Sequence, residues 1–178
     1  MPRERLGAGI QAFGGDKWAA KRGWPRRPSF LAMRCLTYLG LVHGARGLFS
    51  FSYPGVRADT PSWEGLQKIA AELQQLQTWL ALPIKRNALQ LTMTSPFKTD
   101  FSGRPAVHYC LKSHGRGRLL ALVNVIARPV SLFLEGFDRQ GPWLTEIFQK
   151  HKSVVCDGNI REELGAYEVR IYSYSNEN

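Results

Sequence analysis

The sequence holds few cysteines and no long hydrophobic run. Its three cysteines are far apart and form no C-x-x-C pair, so they indicate no redox or zinc motif: Cys35, Cys110 and Cys156. No run of about 18 residues is free of polar interruptions, so no segment is predicted to span a membrane and no membrane partner is expected. Residues 3–5 are all charged, so we predict no signal peptide at this N-terminus.

Motifs that bind phosphate or activate a serine are also missing. The glycines of residues 7–15 do not follow the order G-x-G-x-x-G, and no G-K-[ST] occurs. No G-x-S-x-G nucleophile elbow occurs either. His108, His114 and His151 are scattered and lack the spacing of metal ligands. We therefore predict no metal and no cofactor.

Acidic residues are few relative to basic ones. The chain has 24 Lys and Arg against 14 Asp and Glu, a net charge of +10. The excess lies in residues 1–28, with seven basic and two acidic residues, and in residues 85–118, with seven and one. A nucleic-acid surface is one interpretation and a set of basic loops is the plainer one. Because no helix-turn-helix, zinc motif or aromatic-interleaved sheet is evident, nucleic acid is the disfavoured partner.

Residues 30–53 carry the most informative pattern. Four apolar residues recur at helical spacing and predict the buried face of a helix: Leu31, Cys35, Leu39 and Val42. Gly44 follows His43 where a left-handed C-cap is wanted. From residue 47 to residue 53 aromatic residues alternate with other side chains, which predicts a buried strand.

The flanking segments extend this pattern. The apolar run 8–13 predicts a preceding parallel strand. Thr60 and Pro61 are a hydroxyl N-cap followed by proline, a good helix start, and apolar residues then recur at helical spacing to Leu82. The predicted order over residues 8–82 is strand, helix, strand, helix, which is typical of an α/β fold.

From about Asn87 the period changes from helical to alternating. Seven short strands are predicted, separated by glycine and proline: 89–94, 107–112, 119–126, 130–135, 143–148, 153–156 and 167–174. This pattern is typical of a small antiparallel β-sandwich. We therefore predict two domains, an α/β segment of residues 1–84 and an all-β domain of residues 85–178. Three tryptophans are expected in the core or at an interface: Trp63, Trp79 and Trp143.

Residues 8–82 resemble a known family. The segment IQAFGG, a loop with tryptophan and proline, and MRCLTYLGLVHGARGLFSFSY together resemble the end of a bacterial TIM-barrel glycoside hydrolase. The resemblance implies a partial (β/α) barrel end of two strand–helix units, followed by the β-sandwich that such proteins carry. It also implies carbohydrate as the ligand and a secreted or periplasmic parent protein.

Ligands of such barrels bind beyond the carboxyl ends of the strands. The strand ends and their loops supply the candidate substrate-binding residues: Gln11, Trp18, Trp24, Ser52 and Tyr53. The amide of Gln11 can hydrogen-bond a sugar hydroxyl. The rings of Trp18, Trp24 and Tyr53 can stack on the apolar C–H face of a pyranose, although loop packing is the plainer role for the tryptophans.

Glycoside hydrolysis usually needs two carboxylates on either side of the scissile bond. Neither predicted strand of the α/β segment bears an Asp or Glu. Asp16, in the loop after the first strand, is the one catalytic candidate, and a turn carboxylate is its plainer interpretation. The resemblance implies that the catalytic pair belongs to strands absent from this chain.

The chain is shorter than the family it resembles. A complete barrel needs eight strand–helix units and about 250 residues, and this sequence has room for two units. We therefore expect a fragment of a longer protein that is inactive alone and self-associates through its unclosed strands. The alternative interpretation is a non-catalytic module that binds carbohydrate or protein.

Overall fold

A computed structural model describes residues 7–12, 14, 17–23, 26–51, 60–85, 88–137, 143–149, 152–155 and 157–175. The chain divides into two compact units, Met1–Leu80 (the first unit) and Ala81–Asn178 (the second unit). The described residues form a small strand-rich fold with three sheets and few helices. No helix among them is long and apolar enough to cross a membrane.

The first unit is built on a pair of parallel strands. Its elements in chain order are β1 (Gly7–Gln11), α1 (Lys17–Ala20), α2 (Phe30–Val42), β2 (Gly47–Phe51), α3 (Thr60–Gln75) and α4 (Gln77–Leu80). β1 and β2 pair in parallel, from Gly7 opposite Gly47 to Gln11 opposite Phe51. Both predicted strands are present, although residues 13, 52 and 53 lie outside the described residues. The short helix α1 falls where a loop is predicted.

Helix α2 provides the crossover between the two parallel strands. Ser29 Oγ accepts a hydrogen bond from the N–H of Ala32 at 3.2 Å, which caps the first turn. At the other end the N–H of His43 donates to the carbonyl of Leu39 at 3.2 Å. Gly44 has a φ of +93°, a left-handed conformation that favours glycine. The predicted helix and its glycine stop are therefore confirmed.

The buried face of α2 differs in part from the predicted one. Cys35 is buried as predicted, but Leu31 is 49% exposed and Leu39 is only half-buried. Val42 is also buried as predicted, and the remaining buried residues of the helix are Met33, Arg34, Thr37, Tyr38 and Leu41. Gly40 lies close to β1, since a Cβ there would lie 2.9 Å from the Cβ of Ala8. The close approach at this glycine sets the rotation of the helix.

Helix α3 begins where Thr60 and Pro61 predict a helix start, but it ends at Gln75 rather than near residue 82. Its inner face joins a small core of Ala12, Met33 and Ile69, against which pack Trp63, Leu66 and Leu73. The expectation that Trp63 packs against the core is thus confirmed.

A buried ion pair joins α2 to α3. The Nε of Arg34 donates to both carboxylate oxygens of Glu72, at 2.9 and 2.8 Å, and the two side chains are only 5% and 15% exposed. The hydroxyl of Tyr38 donates to Glu72 at 2.9 Å. The Arg34 guanidinium carbon also lies 5.2 Å from the centroid of the Tyr38 ring. Glu72 therefore has two donors on one helix face, which fixes how the helices pack.

The second unit consists of antiparallel strands. They are β3 (Gln90–Met93), β4 (Val107–His114), β5 (Gly117–Asn124), β6 (Val130–Glu135), β7 (Trp143–Glu146), β8 (Lys152–Val154), β9 (Asn159–Leu164) and β10 (Val169–Ser175). They form a five-stranded sheet, β4-β5-β10-β7-β8, and a three-stranded sheet, β3-β6-β9. One hydrophobic cluster takes residues from both sheets, for example Leu132 and Ile160 from the second and Leu122 and Tyr172 from the first.

Strand β9 is not among the strands predicted above. Its sequence NIREEL has three consecutive charged residues, which hide the alternation. Ile160 and Glu162 both point inward and are buried. Glu162 is compensated because Arg170 Nη1 donates to it, while Arg170 Nε donates to Glu168 at 2.7 Å. Burial alone would lower the pKa of Arg170, but hydrogen bonds to Glu168 and Tyr172 outweigh it and raise that pKa.

One tryptophan lies outside the core. Trp143, expected in the core or at an interface, is 62% exposed at the start of β7. The strand turns Leu144 and Glu146 inward, and because side chains alternate along a strand, Trp143 faces outward.

The described cysteines are buried thiols. Burial raises the pKa of the Cys35 and Cys110 thiols to about 11. Cys156 lies outside the described residues. The thiols at these two positions are therefore packing groups rather than nucleophiles.

The Arg34–Glu72 pair gives a first testable prediction. Glu72→Ala leaves the buried Arg34 guanidinium without its carboxylate, so we expect the free energy of unfolding to fall by about 3–5 kcal/mol. Urea denaturation followed by tryptophan fluorescence measures it. Glu64→Ala, at an exposed position of the same helix, is the control and should cost less than about 1 kcal/mol. Equal losses in the two variants would contradict the role given to the pair.

The predicted all-β domain gives a second testable prediction. Because the two antiparallel sheets share one core, we expect residues 85–178 expressed alone to fold, with dispersed amide resonances and a cooperative unfolding transition. A disordered or helical product would show that the boundary is wrong.

Candidate functional site

The carboxyl ends of β1 and β2 lie side by side. Gln11 and Phe51 are register partners at the last position of each strand, so the segments that follow leave the sheet at one edge. This is where the sequence predicts the substrate-binding residues. Gln11 is half-buried at this edge. Trp18 lies in the short helix α1, and Trp24 follows it six residues later in the sequence. The remaining candidates lie outside the described residues: Asp16, Trp24, Ser52 and Tyr53.

The loop that carries the candidate tryptophans is closed at its base. Arg27 Nε donates to the carbonyl of Gly14 at 3.0 Å. A Cβ on Gly14 would lie 2.3 Å from the carbonyl oxygen of Arg26, so only glycine fits this approach. The segment after β1 therefore returns to its starting point before α2 begins. Both candidate tryptophans belong to this closed loop.

The two faces of the parallel pair differ sharply. The face toward α2 carries Ala8 and Ile10, and Ile10 is only 4% exposed. Since side chains alternate, Gly9, Gln11 and Phe49 share the opposite face. Phe49 is 62% exposed, and its ring covers Gly9, where an added Cβ would lie 2.9 Å from the ring. Phe49 is thus a candidate contact residue that sequence reasoning missed, because only the register of the paired strands places it on the same face as Gln11.

A cavity lies on the helix side of the pair. It has a volume of about 340 Å³ and mostly apolar walls, formed by Ile10, Leu48 and Ser50 of the strands, Thr37 of α2, and Trp63, Leu66, Gln67, Ile69, Ala70 and Leu73 of α3. Thr37 Oγ1 donates to the carbonyl of Met33 at 2.9 Å, so that hydroxyl serves the helix. Because this cavity is on the other face from Gln11 and Phe49, it does not extend the candidate site.

The described part of the first unit offers no catalytic pair of carboxylates. Its acids are Glu64, which is exposed near the start of α3, and Glu72, which binds Arg34 and Tyr38. No cluster of three or more His, Cys, Asp or Glu among the described residues could hold a metal ion. What the arrangement can do is present an amide and aromatic surface at the strand ends.

No protein-family model and no curated protein matches the chain. Several solved structures match it. An α-amylase from Geobacillus thermoleovorans complexed with acarbose is 12% identical with a TM-score of 0.61, over 97% of this chain and 39% of that one. An Anoxybacillus α-amylase is 13% identical with a TM-score of 0.56, over 97% and 38%. AmyP in complex with maltose is 10% identical with a TM-score of 0.56, over 97% and 41%.

These similarities concern the fold. The chain has a glycoside-hydrolase-like fold, as the resemblance in its sequence implies. It spans about two fifths of the length of the three structures. The similarity therefore does not assign the catalysis or the ligands of the longer proteins to this chain, since fold alone does not determine function.

The exposed face of the parallel pair gives a third testable prediction. A parallel sheet normally has both faces covered, so Phe49 is expected to drive self-association of the whole chain. Phe49→Ser should shift the sedimentation distribution toward monomer. Phe101→Ser, which removes a fully exposed phenylalanine from the second unit, is the matched control and should not. A compact monomer of the unaltered chain at high concentration would refute the expectation.

Proposed function

We propose that this chain is the C-terminal part of a glycoside-hydrolase-like protein. In this proposal the first unit supplies the last two strand–helix units of a (β/α) barrel, and the second unit is the antiparallel β-sandwich that follows. Carbohydrate is the ligand, and the chain alone does not catalyse hydrolysis.

One observation carries the proposal. β1 and β2 pair in parallel with α2 as the crossover and α3 as a second following helix, which is the repeating unit of such a barrel. The face opposite α2 carries the exposed Phe49. In a closed barrel that face is the packed interior, where bulky side chains fill the space. The uncovered ring is what a barrel end without its other strands would leave.

The carbohydrate ligand is supported by the place and the kind of the candidate residues. Gln11 is the last residue of β1, and Trp18, Trp24, Ser52 and Tyr53 follow the two strands in the sequence; barrel enzymes bind their substrates beyond the carboxyl ends of such strands. Amide, hydroxyl and aromatic groups suit the hydroxyls and C–H faces of sugars. The similar structures that carry acarbose and maltose are consistent with this choice.

A non-catalytic module that binds carbohydrate or protein is the second candidate. The observation in its favour is that the second unit has a core of its own, made by both of its sheets. In that case the first unit would be an appendage rather than a barrel end. Nucleic acid stays the disfavoured partner, and a secreted or periplasmic parent protein is the localisation that the resemblance implies.

The absence of a carboxylate pair in the described first unit gives a fourth prediction. We expect no hydrolysis of aryl glycosides or polysaccharides by residues 1–178, because loss of one member of a catalytic set removes several orders of magnitude of rate. Asp16→Asn is the informative control. Turnover that this substitution abolishes would make Asp16 a catalytic acid or nucleophile and would overturn the proposal of an inactive chain.

Sugar binding is tested separately by titration of neutral oligosaccharides against tryptophan fluorescence. Weak binding that Trp18→Ala and Trp24→Ala both reduce is the expected result. Trp143→Ala, at an exposed tryptophan of the second unit, should leave it unchanged. Binding that responds only to the Trp143 variant would move the site to the second unit and favour the alternative.

A further inference from the structure

A group of exposed aromatic and basic side chains lies at one end of the second unit. The hairpin of residues 98–106 precedes β4 and pairs through Thr99 and Pro105. We give the name hairpin-tip cluster to five residues: Lys98, Phe101 and Arg104 of the hairpin, Phe97 just before it, and Arg128 from the loop after β5. All five are exposed, Phe97 by 40% and Phe101 completely. Exposed aromatic side chains are typical of surfaces that bind a ligand.

The hairpin has a fixed shape. One carboxylate oxygen of Asp100 accepts three hydrogen bonds, from Ser102 N at 2.8 Å, Ser102 Oγ at 2.7 Å and Arg104 N at 2.9 Å. Across the hairpin, Asp100 N donates to the carbonyl of Arg104 at 2.8 Å. Gly103 has a φ of +78°, which favours glycine. The backbone that carries Phe101 is thus held in place by the turn, so ligand binding would cost little free energy for ordering that backbone.

A fully buried side chain anchors the neighbouring loop. Asn124 Nδ2 donates to the carbonyl of Arg128 at 2.7 Å and to that of Gly165 at 2.8 Å. The guanidinium carbon of Arg128 then lies 4.4 Å from the centroid of the Phe97 ring, a cation–π contact. The position of Arg128 beside the hairpin is therefore set by the core.

We propose that the hairpin-tip cluster binds an acidic polysaccharide. This rests on the proposed function in taking a carbohydrate as the ligand. Phenyl rings such as that of Phe101 can stack on the C–H faces of sugar rings. Three cations, Lys98, Arg104 and Arg128, add charge-assisted hydrogen bonds to carboxylate or sulfate groups. A neutral glycan needs no such cations, and Asp100 is the one acid of residues 95–106.

The shape of the surface argues against single-stranded nucleic acid. Proteins that bind such strands hold the backbone in a basic groove. Here residues 101–105 are all exposed, so the cluster sits on a projecting tip rather than along a groove. The geometry suits contact with one or two residues of a polymer that passes over the tip.

The experiment measures binding of the full chain to polygalacturonate and to dextran sulfate at low salt, with amylose and single-stranded DNA for comparison. Phe101→Ala and Arg104→Gln should each weaken binding to an acidic polysaccharide by about tenfold, as expected for truncated contact residues. Arg104→Gln keeps the main-chain N–H that binds Asp100. Arg116→Gln is the matched control, because it removes the same charge from the exposed turn at the other end of β4. This variant should change the dissociation constant by less than about twofold.

Three results would overturn the proposal. Equal weakening by Arg116→Gln and Arg104→Gln with no effect of Phe101→Ala would mean attraction by net charge only. Amylose bound as tightly as the acidic polymers would remove the role of the cations. Tighter binding of DNA through the same residues would assign the surface to nucleic acid. Binding of polygalacturonate without any neutral oligosaccharide would support this inference while leaving the first-unit sugar site unsupported, and the reverse result would do the opposite.

Discussion

The parallel pairing of β1 with β2 is the constraint on which the first unit depends. Parallel strands need a crossover connection, which α2 supplies, and their sheet is normally covered on both faces. Gly40 lets α2 approach β1 closely and so covers one face. The other face holds the exposed Phe49 together with Gln11. The surface that needs covering and the surface of the candidate site are therefore the same.

The second unit meets the opposite condition, because its two sheets supply each other with a core. Two of its buried carboxylates have partners within the unit. Glu146 accepts the N–H of Ile171 at 3.3 Å and that of Gln149, and Glu162 binds Arg170. Such groups make hydrogen bonds that stabilise the strands, so they have a structural role. Any recognition by this unit falls to its surface, and the rigid hairpin before β4 is where aromatic and basic side chains meet.

Much of this architecture follows from local sequence. Gly44 and Pro61 mark helix ends because their backbone preferences act within a few residues. Strand β9 escapes prediction because Glu162 is buried with Arg170, a partner on the next strand that periodicity does not record. Trp143 lies outside the core for a related reason, since the register of β7 decides which side chains point inward. Of the predicted site residues, Gln11 alone has a described side chain, and the exposed Phe49 beside it could be recognised only once the pairing of the strands was known.

Amide hydrogen exchange at several protein concentrations tests the central claim most directly. If the first unit is a barrel end with an uncovered sheet, amides of β1 and β2 exchange by local opening, faster than those of β5, an interior strand of the five-stranded sheet. Their protection should then rise with concentration as chains cover one another, while that of β5 stays constant. Protection of β1 and β2 that equals that of β5 and does not depend on concentration would contradict the account.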